Sequence, residues 1–482
     1  MYAFIPSNII IKCLIIILLH YSIFFGDILT SNLHASFKYI DEHFGEAVNE
    51  LKRICAQPSV SAKNEGLEEC ANLIKELLEN IGAKVKLLKI DNAPPLIYGE
   101  LKSSSATKTL LFYNHYDVQP PEPLEEWKHP PFQPVVENGK IYARGVSDNK
   151  GNIIARIYAI KAILDTIGEL PINIKFVIEG EEEIGSPHLP LYVDKYGEMF
   201  KADGGIWESG SKNSKEELTI YLGVKGILYV ELIARGPSRD VHSAGATLIP
   251  NPAWKLIRAL SALKDENEQI LIPGFYDAIV PPSEEELEYV RKIEFDTDKL
   301  KKGLGLKKLL FGLEGFEALK RNLYAPTCNI CGLLSGYTGP GGKTVLPSTA
   351  MAKLDFRLVP NQDPEDIYEK LKEYLKMKGY GDIEVKLLGK LYPAKTSLNS
   401  AIVKATVNAA ITVYGKPPVI YPTMAGSGPM YLFIKNLGIP ISSTGVGYYG
   451  SRAHAPNENI RIKDFIEGMK HVIAIIFEFS KI

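Results

Sequence analysis

The sequence predicts an α/β protein in which one main domain is interrupted by an inserted α+β domain. Apolar runs of strand length alternate with helical segments up to about Leu222, a pattern typical of a largely parallel or mixed sheet flanked by helices. Strands that alternate polar and apolar residues follow, and the alternation of apolar strands with helices returns from about Pro393. With 482 residues, the chain is also too long for one ordinary domain. We therefore assign residues 36–222 and 393–482 to the main domain and residues 223–392 to the insert.

Residues 1–35 are predicted to form a hydrophobic N-terminal extension. The apolar centre of residues 9–29 is shorter than the roughly 20 residues that a membrane span needs, and its length suits a signal peptide better. However, no basic cluster precedes it and no A-x-A site follows it. Three interpretations stay open: an uncleaved anchor, a poor signal peptide, or a start site assigned too far upstream. We favour the third, because a convincing amphipathic helix begins only near Phe37.

The main domain is predicted to begin with two helices and then to alternate strands with helices. Apolar residues recur at helical spacing over 37–55, and a second helix stops at Gly82. In sheets of this kind, chemistry collects at the carboxyl ends of the strands. The further elements expected before residue 222 are the second helix over 67–80, strands over 84–90, 109–117 and 172–178, and a helix over 153–164.

The insert is predicted to hold an antiparallel sheet, two helices and an irregular, charged stretch. After it, the chain returns to the main domain and forms a helix over 462–477. The expected elements of the insert are strands over 228–236, 327–334, 351–359 and 382–388, helices over 251–264 and 367–375, and the irregular stretch over 265–313.

The amino-acid composition excludes some classes of function. Hydrophobic residues make up 45% of the chain, and 55 basic residues balance 57 acidic ones, so no basic tract indicates nucleic-acid binding. Five cysteines form no disulfide framework, which fits a reducing compartment and predicts a cytoplasmic location, with membrane anchoring through residues 9–29 as the alternative. Cys328 and Cys331 form a lone C-x-x-C pair without the second pair or strand-to-helix context that zinc or redox use needs.

Polar residues directly follow two of the predicted buried strands. In FYNHYDVQP, His115 and Asp117 point the same way, and Asp117 could hold the second ring nitrogen of a ligand histidine. In IEGEEEIGS, a turn could aim two of the four glutamates into one pocket, where one binds a metal and its neighbour holds the attacking water. Taken alone, an H-x-D pair is more often structural, and charge runs are mostly solvated loops.

Three further groups complete a set of imidazoles and carboxylates. Asp148 in ARGVSDNKG lies on an irregular loop, where it could bridge two cations or cap the helix that follows. Glu208 follows a short apolar strand in GGIWESG, and His454 lies in the loop SRAHAPNE. Imidazoles and carboxylates without a thiolate suit zinc, manganese or cobalt in a two-metal hydrolase.

The order of these motifs resembles the di-zinc exopeptidase family. HxD, SDNKG, EGxEExGS, a further glutamate and HxPNE follow one another as in carnosine and other dipeptidases, aminoacylases, acetylornithine deacetylase and succinyl-diaminopimelate desuccinylase. The resemblance extends from about residue 37 to 480 and is nearest to the dipeptidase branch. It implies a phosphorylase/hydrolase-like catalytic domain, an inserted dimerisation and lid domain, a homodimer, and two divalent metal ions per subunit, with zinc favoured over manganese or cobalt.

The resemblance also implies the metal ligands. Two carboxylates and one imidazole would hold each ion, and one aspartate would bridge the pair. The implied ligands are His115, Asp148 and Glu208 for one metal, and Asp148, Glu183 and His454 for the other.

Other residues of the same motifs receive roles from the resemblance. Glu182 matches the general base, and Asp117 matches the residue that orients the histidine of the H-x-D pair. The peptide bond Asp148–Asn149 is expected to be cis. Glu179 and Glu181 are expected to be solvated or paired residues that reinforce the electrostatic field.

In the insert and near the end of the chain, the resemblance points to four residues. RDVHSAG is similar to a lid motif in which a histidine, here His242, reaches the partner subunit's active site and hydrogen-bonds the oxyanion. Thr344 in KTVLP and Arg357 in FRLVP look like a dipeptidase substrate-binding pair, with Arg357 clamping a carboxylate. Ser427 in MAGSGPM would contact the same carboxylate. A surface histidine, a solvent-facing strand arginine and a plain turn are the structural alternatives.

The expected function is hydrolysis of the amide bond of dipeptides or short peptides by a water that two metals activate and Glu182 deprotonates. The rival enzyme is an N-acyl-amino-acid deacylase of the acetylornithine or succinyl-diaminopimelate type, because the catalytic motifs are shared. The rival outside enzymology is a non-catalytic binding protein tethered to a membrane by the N-terminal segment. The complete set of ligands and the intact Glu182 argue against lost catalysis.

Overall fold

The computed structural model of the chain describes residues 7–104 and 106–482, with side chains from residue 31 onward. The chain divides into two units. The first unit runs to Ile220 and resumes over Asn399–Pro418 and Ile439–Ile482. The second unit comprises Tyr221–Leu398 and Val419–Gly438.

A six-stranded mixed sheet forms the centre of the first unit. Four of its strands are parallel, and two antiparallel strands extend it at one edge. The predicted mixed sheet is therefore confirmed. Across the sheet, the strands are Lys84–Leu88, Leu96–Leu101, Asn173–Glu179, Thr109–His115, Gly204–Trp207 and Ile441–Ser443.

The carboxyl ends of the central strands meet at one edge of this sheet. The strand Thr109–His115 is buried from its second residue onward, as expected for a parallel strand with covered faces. Its register pairs His115 with Glu179 at the end of one neighbouring strand. On the other side it pairs with Gly204–Trp207, which Glu208 directly follows. The polar residues that the sequence places after three different strands therefore lie side by side.

Helices and short strands complete the first unit. The helix Lys150–Ile167 begins directly after the loop that carries Asp148, and Gly168 ends it in the left-handed conformation that glycine adopts without strain. The other helices that the structure describes in this unit are Ser7–Ala56, Leu67–Asn80, Leu189–Phe200, Ala401–Tyr414 and Ile462–Lys481, and the short strands are Val135–Glu137, Lys140–Tyr142, Ser211–Lys212, Thr219–Tyr221, Gly447–Tyr448 and Asn459–Arg461.

The first helix is longer than the sequence predicts. It spans Ser7–Ala56, whereas the amphipathic pattern begins near Phe37. The pattern marks where one face is buried, through residues such as Ile40 and Leu51, and not where the helix starts. Most of the predicted extension over residues 1–35 lies outside the residues whose side chains are described. Within the described part of the chain, no helix combines the length and apolar character needed to cross a membrane.

The second unit is built on a four-stranded antiparallel sheet with helices packed on it. Leu228 and Phe356 of the strands and Leu256 and Leu371 of two helices share its core. Across the sheet, the strands are Thr327–Ser335, Thr349–Leu358, Gly226–Arg235 and Glu384–Leu391. The helices are Pro252–Ser261, Glu284–Arg291, Thr297–Leu304, Gly315–Tyr324 and Pro364–Met377, and the remaining short strands are Gly223–Val224, Val241–His242, Val345–Leu346, Ala394–Lys395 and Val419–Tyr421.

Part of the stretch that is predicted to be irregular is helical. Residues 265–313 contain the helices Glu284–Arg291 and Thr297–Leu304. Each has only eight residues, too few for a clear apolar period. Their start signals are nevertheless present in the sequence. Ser283 caps the first through a capping box with Glu286, and the side chain of Asp296 caps the second.

The boundary of the insert also differs from the predicted one. Residues 419–438, predicted to be in the catalytic domain, group with the second unit. Backbone hydrogen bonds explain this. Leu222 donates to Tyr421 (3.1 Å), and Met424 donates to Gly223 (2.9 Å). These pairings are far apart in sequence, so composition alone does not reveal them.

Candidate metal centre

The first half of the site gathers around the buried ring of His115. Its Nε2 atom lies 3.0 Å from Oδ1 of Asp148 and 3.7 Å from Oε2 of Glu208. The His115 side chain is fully buried. The structure thus brings together one imidazole and two carboxylates from three separate segments, as implied for the first metal.

The second half of the site gathers around His454. Its Nε2 atom lies 3.1 Å from Oδ2 of Asp148 and 3.1 Å from Oε2 of Glu183. Asp148 therefore presents one oxygen to each imidazole, the arrangement expected of a carboxylate that bridges two cations. Its neighbour Asn149 follows through a cis peptide bond, as the resemblance implies.

The donor atoms of the cluster lie close enough to share metal ions. Those of His115, Glu182 and Glu208 lie within 4.8 Å of one another, and so do those of His115, Asp148 and Glu183. Carboxylates this close repel one another when ionised, and divalent cations between them would offset the repulsion.

Burial and the close approach of these side chains also shift their pKa values. Burial, followed by repulsion from Glu182, raises the pKa of Glu208 well above its usual range, and burial raises the pKa of Glu182 to about 7. Hydrogen bonds to Asp148 and Glu183 raise the pKa of His454 to about 10.

One oxygen of Glu208 gives independent evidence that these residues fit a metal ion. Oε2 of Glu208 is buried and accepts no hydrogen bond from the part of the chain that the structure describes. A buried carboxylate oxygen without a partner is costly, and a cation would compensate it. Its nearest imidazole nitrogen, Nε2 of His115, belongs to the same predicted ligand set.

Asp117 has a wider structural role than the sequence predicts. Its Oδ1 lies 3.3 Å from Nδ1 of His115, and its backbone carbonyl oxygen lies nearer to the same nitrogen, at 3.1 Å, so both oxygens contact the ring. The same carboxylate accepts the backbone N–H groups of Glu182 (3.2 Å) and Glu183 (3.0 Å). One buried side chain therefore positions a ligand histidine, the predicted base and a ligand glutamate at once.

The two remaining glutamates of the run are buried and paired. Glu179 accepts hydrogen bonds from Tyr113 (2.6 Å) and Ser186 (2.8 Å), and Glu181 contacts Nδ1 of His188 (2.8 Å). Both glutamates are therefore paired, which is one of the two states expected of them, and neither is solvated. Burial also raises the pKa of Glu179 to about 8, so its carboxyl group adds little negative charge near neutral pH.

Glu458, which the sequence analysis did not single out, holds the loop that carries the bridging aspartate. Its Oε1 accepts the N–H groups of Ser147 (2.8 Å) and Asp148 (3.0 Å). Its Oε2 accepts from Gly145 (2.9 Å) and from the buried guanidinium of Arg144 (2.8 Å). The available signal was the motif SRAHAPNE, in which Glu458 is the last residue and stands four positions after His454.

Arg156 supports the other side of the site and was also missed. Its guanidinium donates to the carbonyl oxygens of Tyr113 (2.6 Å) and Glu208 (3.0 Å), and Asn149 donates to the same oxygen of Glu208 (2.9 Å). The signal was a charged residue within the largely apolar helical run IIARIYAIKAIL, whose other charged residue is Lys161. Gln119 is a third missed contact, since its amide donates to Oε2 of Glu183 at 2.9 Å.

The four predicted residues of the second unit form two pairs. His242 and Thr344 lie together, because His242 pairs with Val345 in a short two-stranded ladder. Nδ1 of His242 accepts the N–H of Ala244 (3.0 Å), which leaves the proton of a neutral ring on Nε2. Arg357 and Ser427 form the other pair, through an Nη1 to Oγ hydrogen bond of 2.8 Å.

Comparison with known proteins gives a consistent result. The sequence profile of "Peptidase family M20/M25/M40" matches residues 111–478. A solved structure described as an M20 family metallo-carboxypeptidase from Sulfolobus solfataricus is 45% identical, with a TM-score of 0.85, and covers 91% of this chain and 100% of that one.

Two curated relatives match over nearly their whole length. A Beta-Ala-His dipeptidase of Rattus norvegicus is 28% identical over 477 residues, which is 94% of this chain and 96% of that protein. A Cys-Gly metallodipeptidase of Schizosaccharomyces pombe is 27% identical over 476 residues, covering 94% of this chain and 99% of that protein. The similarity spans the whole set of site residues, from His115 to His454.

Proposed function

Because the chain belongs to peptidase family M20/M25/M40, we propose that it hydrolyses the amide bond of dipeptides and short peptides that carry a free terminal carboxylate. The observation that carries the proposal is the carboxylate of Asp148, whose two oxygens face His115 and His454 at 3.0 and 3.1 Å. The similar proteins are dipeptidases and a carboxypeptidase, which supports the substrate class.

The proposed cofactor is a pair of divalent ions, zinc first and manganese or cobalt as alternatives, since the ligands are imidazoles and carboxylates. His115, Asp148 and Glu208 would hold one ion, and Asp148, Glu183 and His454 the other. When bound, the two ions acidify a water molecule and polarise the scissile carbonyl. Oε2 of Glu208, which has no hydrogen-bond partner among the described residues, supports this assignment.

Glu182 is the proposed general base. It accepts the proton of the attacking water and passes it to the leaving amine. Its carboxylate lies among the donor atoms of the cluster, and the contact between its backbone N–H and Asp117 fixes the turn that aims it.

Binding of the substrate is assigned to the second unit. The guanidinium of Arg357, paired with the hydroxyl of Ser427, is proposed to hold the terminal carboxylate in a charge-assisted contact. Thr344 is proposed to contribute to the same recognition. The protonated Nε2 of His242 is suited to donate to the oxyanion of the tetrahedral intermediate.

A homodimer in which His242 serves the partner subunit's site completes the proposal. The edge strand Thr327–Ser335 exposes Ile330, Leu333 and Leu334, each by about half of its side-chain surface. An exposed apolar strand at a sheet edge is a feature of surfaces that another chain covers. A cytoplasmic location stays part of the proposal, because the four cysteines with described side chains are free thiols.

A rate comparison on the metal-loaded full-length chain tests the proposed function. The substrates are unblocked dipeptides, dipeptides with a blocked amino terminus, and N-acetyl and N-succinyl amino acids, with Glu182→Gln as the blank. Faster cleavage of unblocked dipeptides indicates a dipeptidase, and equal cleavage of the blocked ones indicates a carboxypeptidase. Faster release of acyl groups would contradict the peptide assignment and favour the deacylase, and no hydrolysis with any substrate would favour a binding protein.

A further inference from the structure

A cavity of about 790 Å³ lies within the second unit and shares no residue with the metal centre. Its volume falls in the range of small-molecule binding sites, about 300 to 1,000 Å³. Aliphatic and aromatic side chains form much of its wall: Ile270, Phe295, Leu300, Leu309, Leu310 and Leu313. A wall of this composition favours the hydrocarbon part of a ligand.

Both acidic side chains of the cavity are already engaged. Glu268 forms an ion pair with Lys264, which lies four positions earlier in the sequence. Asp355 accepts a hydrogen bond from Asn329 (2.9 Å) and lies 3.3 Å from Nε of Arg357. Two further basic residues line the cavity, and among the described residues no carboxylate pairs with either. The cavity therefore has an excess of positive charge.

The first of these unpaired cations is the buried ammonium of Lys225. Only 2% of the residue is exposed, and its Nζ donates to the carbonyl oxygens of Asn322 (2.7 Å) and Ala325 (2.6 Å). Capping of the helix Gly315–Tyr324 explains these two bonds, but it uses neutral acceptors and leaves the charge without a counter-ion. Burial accordingly lowers the pKa of Lys225 to about 8.

The second unpaired cation is the guanidinium of Arg321, which is held in place at the surface. It lies 4.3 Å from the ring centre of Phe311. Phe311 has a φ of 58°, a left-handed conformation that a bulky residue adopts only where its surroundings enforce it. Half of the Phe311 side chain is exposed beside the cavity wall formed by Leu309 and Leu310.

The rim segment, residues 299–311, contributes Leu300, Leu309 and Leu310 to the cavity wall and combines exposed leucines with lysines. Within residues 299–311, Leu304, Leu306 and Leu310 are each about half exposed or more. A short segment with apolar and basic residues together is typical of sequences that contact anionic lipid surfaces. The lysines of this segment are Lys299, Lys301, Lys302, Lys307 and Lys308.

We propose that this cavity binds an anionic amphiphile, with the hydrocarbon chain along the leucine wall and the charged head between Lys225 and Arg321. The occupant is either a free long-chain carboxylate or an anionic membrane lipid, which share this chemistry. The site is independent of the peptidase assignment, because none of its lining residues holds a metal or belongs to the predicted catalytic set.

Calorimetric titration of the full-length chain with octanoate, butyrate and 1-octanol tests the proposal. Octanoate is expected to bind at one site, about a hundredfold more tightly than butyrate, because it adds four methylene groups. The uncharged octanol is expected to bind about tenfold more weakly than octanoate, because it makes no charge-assisted contact.

Three variants make the test specific. Arg321→Glu and Lys225→Met are each expected to weaken octanoate binding about tenfold or more. Lys320→Glu is the matched control, since it makes the same change of charge on the same helix as Arg321, at a residue that does not line the cavity. If octanoate bound no better than butyrate, or equally well to Arg321→Glu and Lys320→Glu, the proposal would be wrong.

Vesicle sedimentation then separates the two sources of the ligand. Phosphatidylcholine vesicles with and without phosphatidylglycerol are compared, using the wild type and a Lys307→Glu, Lys308→Glu double variant. Because the N-terminal segment is common to both proteins, a difference between them reports on this rim. Binding to the anionic vesicles that the double variant loses would identify a membrane lipid. Octanoate binding without vesicle binding would identify a free carboxylate.

Discussion

Replacing Asp117 by asparagine is expected to loosen the metal centre without removing any ligand. The carboxylate has contacts on both oxygens: Oδ1 faces Nδ1 of His115 at 3.3 Å and the N–H of Glu182 at 3.2 Å, and Oδ2 accepts the N–H of Glu183 at 3.0 Å. An asparagine has the same shape but only one acceptor oxygen. Whichever way the amide turns, its NH₂ group faces at least one donor.

The expected loss of metal affinity follows from these three contacts. A buried donor that loses its acceptor costs about 1–3 kcal/mol. If the loss falls on His115, its ring is held only by the backbone carbonyl oxygen of residue 117, at 3.1 Å, and metal affinity should fall by about 10-fold, the lower end of the effect of losing such a partner. If it falls on Glu183, the second ligand moves with its turn, and the loss should be similar. Asp117→Asn should therefore lower the metal affinity more than the same substitution at a surface aspartate does.

The assay is a metal titration against a competing chelator, carried out on the wild type, Asp117→Asn and the control Asp194→Asn. Asp194 lies on the exposed face of a helix of the same unit. Urea unfolding of the metal-free proteins measures the part of the loss that belongs to folding alone. A metal affinity within twofold of the wild type for Asp117→Asn would refute the positioning role.

Four further predictions concern catalysis, recognition, stability and assembly. Glu182→Gln should retain both metals, measured by elemental analysis, while kcat falls by about 10²- to 10⁴-fold; a rate near wild type would exclude it as the base. Arg357→Met should raise KM for dipeptides about tenfold or more with a smaller change in kcat, and should leave substrates with an amidated terminus unaffected. Burial lowers the pKa of His471 from 6.5 to about 4, so the unfolded chain binds a proton that the folded ring does not. The free energy of unfolding should therefore drop by about 2 kcal/mol more between pH 7 and pH 5 in the wild type than in His471→Gln, as measured by urea denaturation. Mixing His242→Ala with Glu182→Gln subunits should restore activity above that of either variant, and no recovery would argue against a shared site.

Local patterns in the sequence predict much of the fold. Alternating strands and helices identify the mixed sheet, because parallel strands buried on both faces are continuous apolar runs. The two-residue spacing of His115 and Asp117 suffices to predict that they face the same way. The length of the first helix is not predictable in this way, because the sequence before Phe37 shows no amphipathic period.

Contacts between distant segments account for what the sequence does not reveal. Asp148 and His454 are 306 positions apart, and only the resemblance to known enzymes suggested that they meet. Glu458 and Arg156 form their hydrogen bonds with loops and strand ends from elsewhere in the chain, so the sequence around each of them does not reveal which groups it holds. The same reason applies to residues 419–438, whose pairing partners lie about 200 positions earlier.

The long separation between Asp148 and His454 has a consequence for how such enzymes can diversify. Bringing the two side chains together closes a loop of 306 residues, and more than half of that loop belongs to the second unit. The entropy of closing a loop grows only with the logarithm of its length, about 0.6 kcal/mol for each doubling. The inserted unit therefore adds little to the cost of assembling the ligands. A different insert of similar or greater size could be exchanged into the same position, giving new recognition properties to an unchanged metal centre.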